Sequence, residues 1–107
     1  YVSAYAASKH GAVGLVRSVA QEVAGTGITA NVLCPGYLAT EMTDRTIDNI
    51  VATTGRSRAD AVQALASMNP QGRMIEPAEV SAAALRLCGP DSDTVNGEAI
   101  EFTGAAV

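Results

Sequence analysis

Residues 5–40 read YAASKHGAVGLVRSVAQEVAGTGITANVLCPGYLAT, and this stretch indicates the fold class. Its first part is rich in alanine, lacks proline and repeats apolar residues near helical spacing. That pattern predicts a helix over residues 3–24, with Ser3 as the candidate N-cap. Gly25 and Gly27 are expected to end the helix, because glycine adopts the left-handed conformation common after a helix.

The order of the remaining elements predicts an α/β architecture. The β-branched run Ile28–Cys34 is mostly apolar, which predicts a strand buried on both faces, and Pro35-Gly36 stops it. Two strands joined through helices form a right-handed parallel crossover. The later segments begin with helical patterns at Thr43–Thr53 and Ser57–Met68, a break at Gly55 and a turn at Asn69-Pro70-Gln71-Gly72. Glu76-Pro77 then opens a helix, with Pro77 in its first turn and Ala78–Cys88 following. A strand at Glu98–Phe102 and a tail from Gly104 end the chain pattern.

The composition excludes several classes of protein. The 107 residues fit one ordinary domain, and 48% hydrophobic against 17% charged residues can bury a core. A net charge of −4 argues against a nucleic-acid partner. No apolar run reaches the ~18 residues of a membrane span. Cys34 and Cys88 are widely separated, so we expect buried thiols in a reducing cytoplasm, and we expect no metal site.

Tyr5 and Lys9 are the most informative candidates for chemistry. They are four residues apart, so a helix places them on one face, one turn apart. A phenol ordinarily has a pKa of about 10, and an ammonium one turn away favours its ionised form. The pair therefore suits proton transfer near neutral pH. The same spacing also occurs by chance in helices with a half-buried tyrosine and a surface lysine.

The motifs that follow this pair keep a fixed order and spacing. They are Tyr5, Ser8 and Lys9; Gly27, Ile28 and Asn31; Pro35, Gly36 and Thr40; Gly72-Arg73 with Glu76–Val80; and Asn96-Gly97. Together they resemble the short-chain dehydrogenase/reductase family over essentially the whole chain. Several ordered motifs are more specific than any one of them, because each could occur singly by chance.

The resemblance implies roles for the residues of the first helix. Tyr5 would be the general acid/base that gives a proton to the substrate oxygen. Lys9 would lower the pKa of Tyr5 and hydrogen-bond the ribose beside the nicotinamide, so that both residues also contact the cofactor. Ser8 is expected to be a packing residue and His10 an ordinary surface or interface residue, since no nucleophile–base–acid set is in view.

The resemblance also implies a binding site for NAD or NADP. Pro35, Gly36 and the Leu38 backbone would line the nicotinamide pocket, and Thr40 would hydrogen-bond the cofactor. These residues follow a predicted parallel strand, and open α/β sheets bind ligands beyond the carboxyl ends of their strands.

The implied fold is the C-terminal part of a Rossmann-like, doubly wound parallel sheet. Residues 1–107 would form part of a single NAD(P)-binding domain, with a substrate lid at about residues 41–70. The family's phosphate loop and its further catalytic Ser and Asn are not among these residues, so we expect the chain alone to be inactive. Small residues on the first helix permit close packing, and relatives commonly pair subunits there, so a homo-oligomer, dimer or tetramer, is expected.

The implied function is hydride transfer between NAD(P)(H) and a carbonyl or secondary alcohol. The helix–strand–Pro-Gly stretch most resembles reductases of 3-oxoacyl thioesters. A 3-hydroxybutyrate or 3-hydroxyacyl-CoA dehydrogenase is the alternative, and a non-catalytic binding or assembly protein of the same fold is a second. The intact Tyr5–Lys9 pair argues against the last. Three arginines of the lid either contact a phosphopantetheine or CoA phosphate or lie solvated at the surface: Arg45, Arg56 and Arg58.

Overall fold

The computed structural model describes residues 2–102, so the predicted tail from Gly104 lies outside the described residues. Two compact units share the chain. Of the described residues, the first contains residues 2–34 and Ala84–Ile100, and the second contains Pro35–Ala83, Glu101 and Phe102. The elements are α1 (Ser3–Glu22), β1 (Val32–Cys34), α2 (Glu41–Thr54), α3 (Arg58–Ala66), α4 (Pro77–Leu87), a 3-10 turn (Pro90–Ser92) and β2 (Ala99–Glu101).

The long helix α1 of the first unit begins and ends close to its predicted limits. Its N-cap is Val2, and no side chain caps the first turn, so the expectation that Ser3 is the N-cap is wrong. Ser3 already belongs to the helix, where its hydroxyl cannot reach the free N–H groups that an N-cap serves. Beyond the helix, Gly25 and Gly27 adopt φ of 79° and 84°, the left-handed conformation that glycine accommodates without strain.

The two short strands of the first unit are parallel. Gly97 N–H donates to Ala30 C=O at 2.8 Å and Val32 N–H donates to Glu98 C=O at 2.9 Å, so the pairing advances in the same direction on both strands. The α/β class with a parallel sheet is therefore confirmed. The strand expected over residues 28–34 is limited to residues 32–34 and is half-buried, because within the described residues β2 is its one neighbour.

Two asparagines replace ladder hydrogen bonds beside the short sheet. The Asn96 amide links the backbone before β1 to the buried end of α1, and the Asn31 amide links β1 to the segment before β2. Each amide uses both its oxygen and its nitrogen, so each holds two backbone groups that a longer ladder would otherwise have to satisfy. The four contacts are Asn96 with Ala30 N–H and Ala20 C=O, both 2.9 Å, and Asn31 with Val95 C=O, 2.8 Å, and Glu98 N–H, 3.0 Å.

The second unit is built on α2 and α3, which the sequence patterns predicted. Ser57 is the N-cap of α3 and accepts a hydrogen bond from Asp60 N–H, while Gly55 at φ 68° ends α2. A small apolar core joins the two helices, because their inward residues lose contact with water. It consists of Ile47, Ala61 and Leu65, with Ile50, Val51, Val62 and Met74 packed against it.

Cys34 and Cys88 differ in their exposure to water. Both cysteines are free thiols, as expected, but Cys88 is exposed and Cys34 half-buried, so the expectation of two buried thiols is wrong. Cys88 follows the last turn of α4, where the chain leaves the helix.

Among residues 2–102, no helix is both long and apolar enough to cross a membrane. The same residues contain no group of three His, Cys, Asp or Glu side chains that could hold a metal ion.

Candidate active site

Helix α1 brings Tyr5 and Lys9 together on one face. The Lys9 Nζ lies 5.4 Å from the centroid of the Tyr5 ring, a distance at which the ammonium is attracted to the ring face. Both side chains are exposed, with 66% of Tyr5 accessible. The spacing of four residues on an unbroken helix explains this contact, because such positions are stacked one turn apart.

Neither polar end of this pair is bound by the chain. Over the part of the chain that the structure describes, the Tyr5 hydroxyl accepts and donates no hydrogen bond and Lys9 forms no ion pair. An ammonium without a carboxylate partner keeps its full attraction for a ligand oxygen or a phenolate. The pair is therefore free to bind substrate or cofactor groups.

The two other polar residues of this turn bind the helix itself. The Ser8 hydroxyl donates to Tyr5 C=O at 2.9 Å, and His10 Nδ1 lies 2.8 Å from Ala6 C=O. Both side chains are exposed, so Ser8 does not pack as expected, whereas His10 lies at the surface as expected. Bonds to the backbone of their own helix leave neither residue placed to activate a nucleophile.

In the second unit, the segment Pro35–Thr40 has one edge paired and one edge free. Leu38 forms a parallel bridge with Ile75: Ala39 N–H donates to Ile75 C=O at 2.9 Å, and Ile75 N–H donates to Tyr37 C=O at 3.0 Å. Successive N–H groups of extended chain point to opposite edges, so the Leu38 N–H faces away from Ile75. It has no acceptor within residues 2–102.

Thr40 has a structural task that the sequence did not indicate. Its hydroxyl is the N-cap of α2 and accepts from Thr43 N–H at 3.5 Å, and it lies 3.4 Å from the Thr43 hydroxyl. A hydroxyl that accepts a hydrogen bond still carries a proton to donate. Capping is therefore compatible with the predicted hydrogen bond from Thr40 to a cofactor.

Asn69 is the residue of this region that sequence reasoning missed. It lies in the predicted turn after α3, yet only 4% of the residue is exposed. Its Oδ1 accepts from Tyr37 N–H, and its Nδ2 donates to Tyr37 C=O and to Arg73 C=O. No local signal distinguishes this side chain from an ordinary turn asparagine, because Asn-Pro is itself a turn pattern.

Arg73 and Glu79 form an ion pair with two hydrogen bonds in the second unit. The guanidinium donates to both carboxylate oxygens, at 2.7 and 2.8 Å, and Glu76 N–H donates to the same carboxylate. The Arg73 hydrogen bonds, followed by the Glu76 N–H, lower the pKa of Glu79 to about 2, and the hydrogen bond from Glu79 raises the pKa of Arg73. The carboxylate also stabilises the first turn of α4, where helix N–H groups lack partners.

The three arginines of the predicted lid differ in their surroundings. Arg45 forms an exposed ion pair with a carboxylate one turn earlier, and Arg58 of α3 binds two carboxylates of α2. Arg56 has no acidic partner within the described stretch of the chain. Surface pairs of this kind contribute little stability, because water screens them. The pairs are Arg45 with Glu41 at 2.7 Å, and Arg58 with Asp48 and with Asp44, the latter at 3.4 Å.

Comparison with known proteins shows the family of this chain. A family model described as enoyl-(acyl carrier protein) reductase matches residues 1–104. The chain belongs to the short-chain dehydrogenase/reductase family. A structure of a variant actinorhodin polyketide ketoreductase with NADPH superposes with a TM-score of 0.82 at 34% identity, over 92% of this chain and 38% of that one. The family's Rossmann-like α/β fold is thus the fold to which this chain belongs.

Two curated relatives represent different members of the family. The D-beta-hydroxybutyrate dehydrogenase of Rhizobium meliloti (strain 1021) is 33% identical, over 97% of this chain and 41% of that protein. The 3-oxoacyl-(acyl-carrier-protein) reductase of Vibrio harveyi is 34% identical, over 94% of this chain and 36% of that protein. The chain therefore spans about two fifths of the length of the short-chain dehydrogenases/reductases that it matches.

Proposed function

We propose that this chain supplies the proton-transfer pair and part of the nicotinamide-binding surface of an NAD(P)-dependent oxidoreductase. The enzyme would reduce a carbonyl group or oxidise the corresponding secondary alcohol. The observation that carries the proposal is the exposed Tyr5–Lys9 pair, 5.4 Å from ammonium to ring centroid and unbound by the described chain. A helix that served packing alone would need neither a free phenol nor a free ammonium at this spacing.

The groups that remain free fit a nicotinamide cofactor, NAD or NADP. The Leu38 N–H is an unused amide donor that suits a carboxamide oxygen, Lys9 offers three donors for ribose hydroxyls, and the Thr40 hydroxyl retains a proton to donate. When bound, the reduced cofactor supplies the hydride. Pro35 and Gly36 would line the nicotinamide pocket beside Leu38, and Tyr5 would contact the cofactor as well as the substrate.

Tyr5 is the proposed general acid. Its O–H donates the proton to the carbonyl oxygen as the carbonyl carbon is reduced, which leaves an alcohol and a phenolate. Lys9 stabilises that phenolate, because its ammonium lies on the same helix face, 5.4 Å from the ring centroid. In the direction of oxidation the phenolate removes the alcohol proton, so one group serves both directions.

The proposed substrate is a 3-oxoacyl thioester. It is supported by the likeness to the ketoreductase and to the Vibrio harveyi reductase, both at 34% identity. Helices α2 and α3 lie within residues 41–70, and we propose that they form the substrate lid of a single NAD(P)-binding domain. The Rhizobium meliloti relative supports a second candidate, a 3-hydroxybutyrate dehydrogenase.

We also propose an oligomeric state and a cellular compartment for the protein. We propose a homo-oligomer, dimer or tetramer, because α1 leaves apolar side chains such as Leu15, 66% exposed, without cover in the described chain. We also propose a cytoplasmic location, the compartment in which free thiols such as Cys34 and Cys88 persist.

The test is cofactor oxidation by the intact protein with an acetoacetyl thioester, using NADH and NADPH separately. Tyr5→Phe should lower kcat by about 10²–10⁴-fold while cofactor binding persists, because a single proton donor is lost. Ser18→Ala, which removes one exposed hydroxyl from the same helix, is the matched control and should retain activity.

The outcomes separate the candidates. Faster oxidation of 3-hydroxybutyrate than reduction of the thioester would favour the second candidate. Cofactor binding without turnover of either compound would indicate another carbonyl substrate. A folded protein that binds neither cofactor would refute the enzymatic proposal, as would a Tyr5→Phe variant with undiminished turnover.

A further inference from the structure

Asn69 is a buried polar residue that the proposed chemistry does not use. It is 4% exposed and lies 32 residues from Tyr37, its main partner. A carboxamide removed from water costs free energy unless its oxygen and nitrogen find partners. The oxygen and the nitrogen of Asn69 both have partners, so its hydrogen bonds compensate for the free-energy cost of burial.

What Asn69 holds is the backbone of the segment Pro35–Thr40. Oδ1 accepts from Tyr37 N–H at 2.9 Å, and Nδ2 donates to Tyr37 C=O at 2.9 Å. The second Nδ2 hydrogen is directed to Arg73 C=O at 2.8 Å. An amide that engages both backbone groups of one residue acts as a neighbouring strand would, and it prevents that residue from rotating.

Three of the four backbone N–H groups of residues 37–40 have acceptors in the described chain. Tyr37 N–H is bound by Asn69, Ala39 N–H by Ile75 C=O, and Thr40 N–H by Leu38 C=O at 3.0 Å. Leu38 N–H is the donor of residues 37–40 that lacks a partner in the described chain. Because the residues on both sides of Leu38 are held, the direction of this free N–H is fixed.

Gly36 shows how closely Asn69 approaches the segment. A Cβ added at Gly36 would lie 2.2 Å from Asn69 Oδ1 and 3.2 Å from its Cγ, while the next neighbour, Ile75 Cδ1, is at an ordinary 3.7 Å. The clashing atoms belong to the Asn69 side chain. Its Oδ1 cannot move away without breaking the hydrogen bond from Tyr37 N–H. Glycine at this position is therefore required by Asn69 itself.

We infer that Asn69 is a positioning residue that orients the Leu38 N–H toward the nicotinamide carboxamide of the cofactor. The inference rests on the proposed function, since it names what holds one part of the proposed cofactor site. Asn69 touches neither cofactor nor substrate in this role and acts through the backbone of Tyr37. Its loss should therefore affect the nicotinamide end of the cofactor and not the rest of the nucleotide.

The test compares nucleotides with and without nicotinamide. Dissociation constants of the intact protein are measured for NADH beside ADP-ribose, and for NADPH beside 2′-phospho-ADP-ribose. Asn69→Ala should weaken binding of the reduced cofactor by about tenfold, the effect of one misplaced hydrogen bond, and leave binding of the matching ADP-ribose within twofold. Asn69→Asp keeps the acceptor for Tyr37 N–H but loses both donors, so it should show the same selective loss if Asn69→Ala does not fold.

Two further variants make the result decisive. Gln21→Ala removes an exposed amide from α1 and should change neither constant. Lys9→Met should weaken both nucleotides, because both carry the ribose that Lys9 is proposed to bind. Equal losses for both nucleotides in the Asn69 variants, or no loss, would overturn the positioning role while leaving the proposed function intact. A wild-type protein that binds none of the four nucleotides would refute the proposed function and this inference with it.

Discussion

Tyr5 and Lys9 owe their proximity to one helix, whereas the segment Pro35–Thr40 owes its shape to Asn69, 32 residues away from Tyr37. The pair is exposed and unbound by the described chain, while Asn69 is buried and each of its hydrogen-bonding groups is satisfied. The difference indicates that the chemistry of the pair depends on residue identity, and that the segment depends on packing.

The comparison predicts opposite sensitivities to substitution. Replacing a side chain of the proposed catalytic pair should reduce turnover and leave the free energy of unfolding almost unchanged, because few contacts are lost. Replacing Asn69, or a residue of the segment that it holds, should lower stability and cofactor binding together.

Lys9→Met should have a large effect on turnover. Loss of the ammonium removes the charge proposed to stabilise the Tyr5 phenolate, so kcat near neutral pH should fall by about 10²–10³-fold. The unfolding free energy should change by less than about 0.5 kcal/mol, because the side chain is exposed. Steady-state kinetics and urea unfolding of the intact protein measure both.

Arg17→Met is the matched control for Lys9→Met. It removes an exposed cation from the same helix that forms no ion pair in the described residues, and kcat should stay within twofold. Undiminished turnover by Lys9→Met would contradict the role of the pair, and a large loss of stability would break the comparison.

Gly36→Ala should produce the next effect, this time on stability. Forcing a Cβ to within 2.2 Å of Asn69 Oδ1 should cost about 1–3 kcal/mol of unfolding free energy. In an Asn69→Ala background the same change should cost at least about 1 kcal/mol less, because the clashing amide is gone. Urea unfolding of the wild type, both single variants and the double variant gives this coupling.

Gly11→Ala provides the control of opposite sign. A Cβ at Gly11 meets nothing within 4 Å on α1, so alanine should stabilise the helix by about 0.5–1 kcal/mol. Additive costs for Gly36→Ala and Asn69→Ala would disprove the requirement of Asn69 for glycine at position 36.

A smaller loss is expected for Asn96→Ala in the first unit. Two hydrogen bonds, to Ala30 N–H and Ala20 C=O, disappear from a half-buried site, which should cost about 1–2 kcal/mol. The exposed change Asn49→Ala should stay within about 0.5 kcal/mol. Equal unfolding free energies for the two variants would show that the asparagine contacts beside the sheet contribute no stability.

The smallest expected effect is the pH dependence of stability that Glu79 causes. Its pKa in the folded protein is lowered to about 2 from 4.5, so its contribution to stability is present above pH 4.5 and is lost as the pH falls toward 2. Glu79→Gln should therefore lose less thermal stability than the wild type over this interval. The difference should shrink in high salt, because the pair is at the surface.

Glu22→Gln, at an exposed carboxylate of α1 without an ion pair in the described residues, should follow the wild-type pH curve. A Glu79→Gln curve that coincides with the wild type from pH 4.5 to pH 2 would contradict the lowered pKa.

Part of the fold and of the site could be predicted from the sequence. The helices α1 to α4 and the parallel α/β class follow from apolar spacing and from the positions of Gly55 and Pro77. The strand ends could not be predicted, because Asn31 and Asn96 replace ladder hydrogen bonds with side-chain ones. The N-cap of α1 is Val2 and not Ser3, because helix ends are set only to within one or two residues by local pattern.

The sequence by itself determined what is local: the Tyr5–Lys9 pair, its spacing of one helical turn and the class of fold that carries it. Helical periodicity is a short-range property, so the identity and spacing of nearby residues are sufficient to set it. Only the tertiary structure decided that Asn69 holds Tyr37, that Gly36 must be glycine and that the Leu38 N–H is left free. The Asn69–Tyr37 contact joins residues 32 positions apart, so neighbouring residues in the sequence do not specify it.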